Sequence, residues 1–200
     1  DRDRAPRRHG RVARDAVAML ALLDRDGVLN EDRPDFVKHP GELVMIPGSA
    51  AAVARLNAAG WRVAVCTNQS CVGRGIIDIA MLERIHDRLR DELRPHGASI
   101  DRIYFAPDAP WQATEMRKPK PGMLRQAMAD LRHGPEQTVM IADALRDLEA
   151  AAAARCRRIL VRTGLGRATQ AKGLPAGILP VAVRESLAEA VDALLAEAAT

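Results

Sequence analysis

Aromatic side chains are almost missing from this 200-residue chain, which holds two tryptophans, one tyrosine and two phenylalanines. Platforms that stack the bases of RNA or single strands have almost nothing to be built from. Cysteine is scarce too: Cys66, Cys71 and Cys156, with no C-x-x-C spacing. That excludes a disulfide framework and makes a reducing cytoplasm the expected setting. No window approaches the roughly 18 consecutive apolar residues of a membrane span. The positive excess is small, 30 Lys+Arg against 26 Asp+Glu. Residues 1–18 hold six arginines and three aspartates, which leaves only +1 of the net +4 for the rest of the chain. The basic character is that of an N-terminal arm, expected to be solvated and disordered, and no nucleic-acid partner is expected from it.

What is present is an ordinary apolar content, 48%, enough for one sizeable core. The arginine-rich start and the apolar stretch Ala16 to Leu23 superficially resemble a secretory leader. Asp24-Arg25-Asp26-Gly27 follows instead of a small-residue cleavage site, so the stretch reads as an arm (1–18) entering a domain (19–200). Met19 is a candidate natural start. From there apolar runs alternate with helical patterns. Strands are expected over 19–23, 61–66, 102–106, 138–142 and 158–161, with a short last one near Val181. Helices are expected from Ser49, as cap, to a stop at Gly60, and from Asp78 with Leu82, Ile85, Leu89 and Leu93 on one face. Others are expected over 121–132, to about Ala154, and over 185–198. Such alternation predicts an α/β Rossmann-like fold, a mainly parallel sheet of five to six strands with helices on both faces.

Ligands of such sheets sit outside the carboxyl ends of the strands, and four strand ends carry reactive groups. After the first come Asp24 and Asp26, i and i+2 on an extended chain and so roughly 6 to 7 Å apart. Two like charges so placed call for a shared cation or a retained proton. That is also what is needed where one carboxylate attacks and the other donates a proton, although a turn capped by two aspartates would look the same. After the second strand, Thr67-Asn68-Gln69-Ser70 offers uncharged donors suited to a phosphoryl oxygen, or a polar turn. After the third, Arg117-Lys118 precedes Pro119-Lys120-Pro121-Gly122, a cationic pair held stiffly ahead of a helix and able to neutralise an oxyanion. After the fourth, Asp143 and Asp147 suit a hard divalent cation such as Mg²⁺, or helix capping.

In this order the motifs resemble those of the haloacid dehalogenase (HAD) superfamily of phosphatases. Asp24-Arg25-Asp26-Gly27-Val28-Leu29-Asn30, Thr67-Asn68-Gln69-Ser70, Val72-Gly73-Arg74-Gly75, Arg117 to Leu124 and Val161-Arg162-Thr163-Gly164 are similar to its histidinol-phosphatase-like branch. The resemblance runs from about Leu20 to Ala196. It implies a Mg²⁺-dependent phosphomonoester hydrolase in which Asp24 attacks phosphorus to form an aspartyl-phosphate and Asp26 serves as acid, then base. It implies Mg²⁺ on Asp24, the Asp26 carbonyl and Asp143, with Asp147 in support. Thr67 and Lys118 would bind the transferring phosphoryl group, and Arg25, Asn68, Arg74 and Arg117 would bind substrate. The implied substrate is a small phosphorylated sugar, foremost the 7-phosphate of D-glycero-D-manno-heptose 1,7-bisphosphate. Histidinol phosphate or another small phosphomonoester is the alternative, and a non-catalytic phosphate-binding protein a further one. A monomer is expected. Residues 31–47 fall where the family places a short flap; with no large cap insertion, a comparatively open site is expected.

Two departures stand out. The family's zinc-loop positions hold Ala106, Asp108, Thr114 and Met116, so a tetrahedral zinc site is not available and a zinc-free loop is expected, held by packing of Trp111 and the prolines. Where the family commonly has Gly-Asp-Lys, this chain has Ala142-Asp143-Ala144, with Arg146 as the nearest replacement cation. The five histidines (9, 39, 86, 96, 133) show no ligand spacing and read as surface or helix residues. Cys66 reads as core, and Cys71 as the one cysteine exposed near the site.

Overall fold

Leu20–Leu23, four apolar residues buried on both faces, forms β1 in the middle of a sheet. The computed structural model describes residues 18–199; the expected arm at 1–18 lies almost wholly outside them. Around β1 stand β2 (Arg62–Asn68), β3 (Arg102–Ala106), β4 (Thr138–Ala142), β5 (Arg157–Val161) and β6 (Ala182–Arg184), in the order β3-β2-β1-β4-β5-β6 with every pairing parallel. Parallel neighbours need crossover connections, and the helical patterns supply them. The helices are α1 (Ser49–Ala58), α2 (Ser70–Gly73), α3 (Ile79–Leu93), α4 (Gly122–Leu131), α5 (Leu145–Ala153), α6 (Gly166–Ala171) and α7 (Leu187–Ala198).

The period-two alternation of β1 divides the core. Ala21 and Leu23 face one layer with Val53 and Leu56 of α1, Ile85, Leu89 and Leu93 of α3, and Val191 and Leu194 of α7. Leu20 and Leu22 face the opposite layer, with Met123, Leu124, Ala127 and Leu131 of α4 and Ala150 and Ala151 of α5. Each central strand is thus covered on both sides, as its unbroken apolar run requires.

Several boundaries differ from expectation for local reasons. Asp78 caps α3 as anticipated, its carboxylate accepting from Met81 N at 2.7 Å. Ser49 is not a cap: Gly48, at φ 83°, takes that place, and the Ser49 hydroxyl donates to Leu29 O at 2.8 Å. That bond ties α1 to the loop after β1. The second strand runs on through Thr67 and Asn68 because β3 continues beside it to Ala106. The last helix starts two residues late, on a Ser186 cap that accepts from Glu189 N. The short α2 and α6 carry too few residues for a period to show. His86 lies on α3 but is buried, and Cys71 is buried rather than exposed.

Candidate active site

The carboxyl ends of β1, β2 and β4 converge on one cavity of about 160 Å³. Asp24, Asp26, Asn68, Gln69, Ser70, Arg117 and Arg146 line it, and Asp32, Arg33, Phe36 and Val37 of the flap close one side. The flap residues were not among the anticipated site residues, and Arg146 was anticipated only as a replacement cation. Flap positions carry no periodicity, and only the folded chain brings them over the strand ends.

Asp24 leaves β1 with its amide still bonded to Ile141 O of β4, at 3.1 Å, so the sheet itself aims the carboxylate. Its Oδ1 accepts from Arg25 N at 2.8 Å and lies 3.3 Å from Lys118 Nζ. Lys118 is buried, and its ammonium also pairs with the buried Asp147 and donates to Cys66 O at 2.7 Å. Burial pulls the pKa of this lysine down, but Asp147 and Asp24 outweigh it and hold the value above the ordinary one. The Asn68 amide explains how the lysine arrives there. It accepts from Lys118 N at 3.1 Å and donates to Lys118 O at 3.0 Å. Asn68 was expected to face substrate; it lines the cavity, but its amide is spent on the Lys118 main chain.

Arg25 does not line the cavity. It was expected at the substrate, yet it is fully buried, with its guanidinium on Asp26 Oδ1 at 3.0 Å and Gln69 Oε1 at 3.2 Å. Asn30 Nδ2 and Gln69 Nε2 donate to the same Asp26 carboxylate, each at 2.8 Å. Burial pushes Asp26 upward, but the Arg25 charge and these hydrogen bonds outweigh it and hold its carboxyl below the usual range. Asp24 shows the opposite balance: burial, then repulsion from Asp147, lift it to about 6 against the pull of Lys118. Gln69 also donates to Thr67 Oγ1 at 2.9 Å, fixing the buried hydroxyl at the end of β2. Read from the sequence, Gln69 was one donor in a polar turn; only packing shows it joining Asp26, Arg25 and Thr67. Arg74 stands outside the cavity lining, with its guanidinium 5.0 Å from the Trp111 ring centroid and 6.0 Å from that of Phe36.

Among the described residues, one group can hold a metal ion: Asp24, Asp143 and Asp147, whose ligand atoms all lie within 4.8 Å of one another. Asp143 is wedged between two glycines. A Cβ on Gly27 would stand 2.0 Å from its Oδ2, and one on Gly164 2.2 Å. Oδ2 accepts from Leu165 N at 2.8 Å, whereas the buried Oδ1 has no partner among the described residues. Burial and the charge of Asp24 raise Asp143 to about 8. Three crowded carboxylates with an orphaned oxygen fit a hard divalent cation.

The zinc-loop positions give no such set. The Asp108 carboxylate accepts from Thr114 N at 2.7 Å and from Thr114 Oγ1 at 2.5 Å, while Ala106 and Met116 pack on the core. Arg117 donates to Asp108 O at 3.0 Å. The clasp is polar; Trp111, expected to pack, is 66% exposed.

This sheet order, with carboxylates after β1 and β4 and a buried lysine between them, is the arrangement of a HAD-like hydrolase, and the family model described as HAD-hydrolase-like matches residues 115–190. Full-length similarity is narrower. The chain is 44% identical to D-glycero-beta-D-manno-heptose-1,7-bisphosphate 7-phosphatase of Pseudomonas aeruginosa, over 88% of this chain and 97% of that protein. It is 36% identical to the corresponding phosphatase of Thermosynechococcus vestitus, over 86% and 92%. The structure of D,D-heptose 1,7-bisphosphate phosphatase from B. bronchiseptica, complexed with magnesium and phosphate, superposes with a TM-score of 0.85 at 43% identity, covering 90% of this chain and 99% of that one. The chain belongs to the heptose-bisphosphate phosphatase family of HAD-like hydrolases.

Proposed function

We propose that this protein is a Mg²⁺-dependent phosphatase that removes the 7-phosphate of D-glycero-D-manno-heptose 1,7-bisphosphate. The observation that carries the reading is the Asp24–Asp143–Asp147 cluster beside a buried Lys118, opening on a cavity whose wall also holds Arg33, Arg117 and Arg146. Three arginines in so small a space favour a substrate with a second anionic group over one ending in an imidazole. A monomer is part of the proposal. The three buried, unpaired thiols fit a cytoplasmic enzyme.

Asp24, Asp143 and the Asp26 main-chain carbonyl would hold Mg²⁺, with Asp147 in support through Lys118. Bound there, the ion neutralises the carboxylates and draws charge from the phosphoryl oxygens. Asp24 is the nucleophile: its carboxylate oxygen bonds to phosphorus as the ester P–O bond breaks. The departing alkoxide takes a proton from Asp26. Asp26 then removes a proton from water, the new hydroxide attacks phosphorus, and the Asp24 oxygen leaves with its bonding pair. Lys118 and Thr67 hold the transferring phosphoryl group, and Arg117 holds the rest of the substrate.

Without ligands, proton affinities run the other way: Asp26 is the more acidic and Asp24 the readier to bind a proton. A phosphate dianion beside Asp26 raises its proton affinity, and a cation on Asp24 lowers that of the nucleophile, so binding itself puts each proton where the chemistry needs it. The test is phosphate release from heptose bisphosphate, histidinol phosphate and a 3′-phosphorylated oligonucleotide, with and without Mg²⁺. The bisphosphate is expected to be hydrolysed fastest, with Mg²⁺ only, and Asp24→Asn to abolish turnover. Wild-type protein as inert as Asp24→Asn on all three would end the phosphatase reading.

A further inference from the structure

Arg146 apart, the cations near the cavity each make at least one hydrogen bond within the protein, although Arg25 Nη1 is buried without a partner among the described residues. Lys118 holds Asp24, Asp147 and Cys66 O. Arg25 holds Asp26 and Gln69. Arg33 donates to Phe36 O and Asp35, and Arg117 to Asp108 O. Arg146 differs: among the described residues its guanidinium makes no hydrogen bond, and its nearest charge partner is Asp147 Oδ2 at 4.0 Å. It lines the same cavity as Asp24, with 45% of its side chain exposed.

We propose, building on the phosphatase reading, that Arg146 binds the phosphoryl group that Asp24 attacks, donating from its free guanidinium face to the non-bridging oxygens. Five N–H donors in a planar fork suit two phosphoryl oxygens at once. The arginine is placed for this by α5, whose first turn carries Arg146 next to the buried Asp147, which is itself paired with Lys118. One helical turn thereby puts a buried cation beneath the phosphoryl site and an accessible one on its cavity side. The fields agree. Asp147, Asp24, Asp143 and Asp32, in that order, attract the Arg146 charge, and after burial Arg146 is the strongest influence holding Arg117 below its usual range. Two guanidinia that repel across an anion-sized cavity are relieved by an anion between them.

The contribution is read with Arg146→Ala and Arg146→Lys, on heptose bisphosphate and on p-nitrophenyl phosphate, a monophosphate, with Mg²⁺. Loss of one donor to a developing oxyanion costs about 10²-fold in kcat. A fall of that size on both substrates is expected for alanine, with lysine recovering about tenfold of it. Inorganic phosphate should bind Arg146→Ala about tenfold more weakly by calorimetry, the worth of one charge-assisted hydrogen bond. Arg146 is exposed, so unchanged melting temperatures are expected and separate the effect from misfolding. A change below threefold on both substrates overturns the proposal. So does a loss confined to KM for the bisphosphate, which would assign Arg146 to the second anion. If wild-type protein hydrolyses neither compound, the phosphatase reading fails, and phosphate binding by the two variants still decides the role of Arg146.

Discussion

Replacing Lys118 by methionine keeps most of the side-chain volume and removes its charge. Three partners then lose their donor: Asp24 Oδ1 at 3.3 Å, Asp147, and Cys66 O at 2.7 Å. Asp24 is 4% exposed and Asp147 is fully buried, so water cannot take over. Breaking a buried ion pair from one side costs about 3–5 kcal/mol. Protonation caps that cost, because the folded protein can keep a proton on Asp24. From its ordinary value of 3.8, holding that proton at pH 7 costs about 4 kcal/mol. At pH 5.5 it costs about 2 kcal/mol by the same relation. For an acid whose folded pKa is raised, stability declines as pH climbs from the unfolded value toward the folded one. Metal-free Lys118→Met should therefore lose about 3–5 kcal/mol at pH 7 and recover about 2 kcal/mol on acidification to pH 5.5. Urea denaturation at the two pH values, with Asp147→Asn alone and combined, measures this. Removing one of the two stranded carboxylates should give a coupling of about 1–3 kcal/mol in the double-mutant cycle, without restoring phosphate release. A loss under about 1 kcal/mol at pH 7, well below a broken buried pair, or a loss that grows in acid, would refute the charge-balance reasoning.

Gly164→Ala would put a Cβ 2.2 Å from Asp143 Oδ2 and 2.5 Å from Gly27 Cα, at φ +54°. Overpacking and the left-handed backbone together should cost about 2–4 kcal/mol, and the rise in melting temperature on adding Mg²⁺ should vanish. His86 is buried with neither ring nitrogen partnered among the described residues, and burial and then the Arg25 charge push its pKa down to about 3. A base depressed on folding contributes stability that is full above about 6.5 and is lost as pH falls. Wild type should lose about 2 kcal/mol between pH 7 and pH 5 through this group, and His86→Phe should show a flatter stability curve by thermal denaturation. Asp108→Ala removes both bonds to Thr114. It should speed hydrogen exchange at the Thr114 amide, while exhaustive zinc chelation with Mg²⁺ restored leaves wild-type phosphate release unchanged.

How far the site was legible depended on the reach of each signal. Asp24, Asp26 and Asp143 stood at or just past strand ends, where the backbone pattern alone says ligands gather, Lys118 stood in the segment between β3 and α4, and the fold brings all four together. For Arg25 the resemblance implied a substrate contact; only the tertiary contact with Gln69 shows it buried beneath Asp26. Asn68 and Gln69 looked like donors to a ligand because their protein partners, Lys118 and Asp26, lie 50 and 43 residues away. Arg146 could be seen as a replacement charge, but not as a guanidinium that makes no hydrogen bond among the described residues.

The sequence by itself determined the alternation of strand and helix, the two-sided core, the order of the motifs along the chain, and the loss of sulfur and imidazole ligands from the loop after β3. Each is a local property: periodicity, a turn residue, or the chemistry of one side chain. Only the tertiary structure decided which polar groups are spent inside the protein and which remain for a ligand. That sorting turns on burial and on partners distant in sequence. It buries Arg25 and Lys118 beneath the carboxylates, leaves Asp143 Oδ1 without a partner among the described residues, and turns Arg146 toward the cavity.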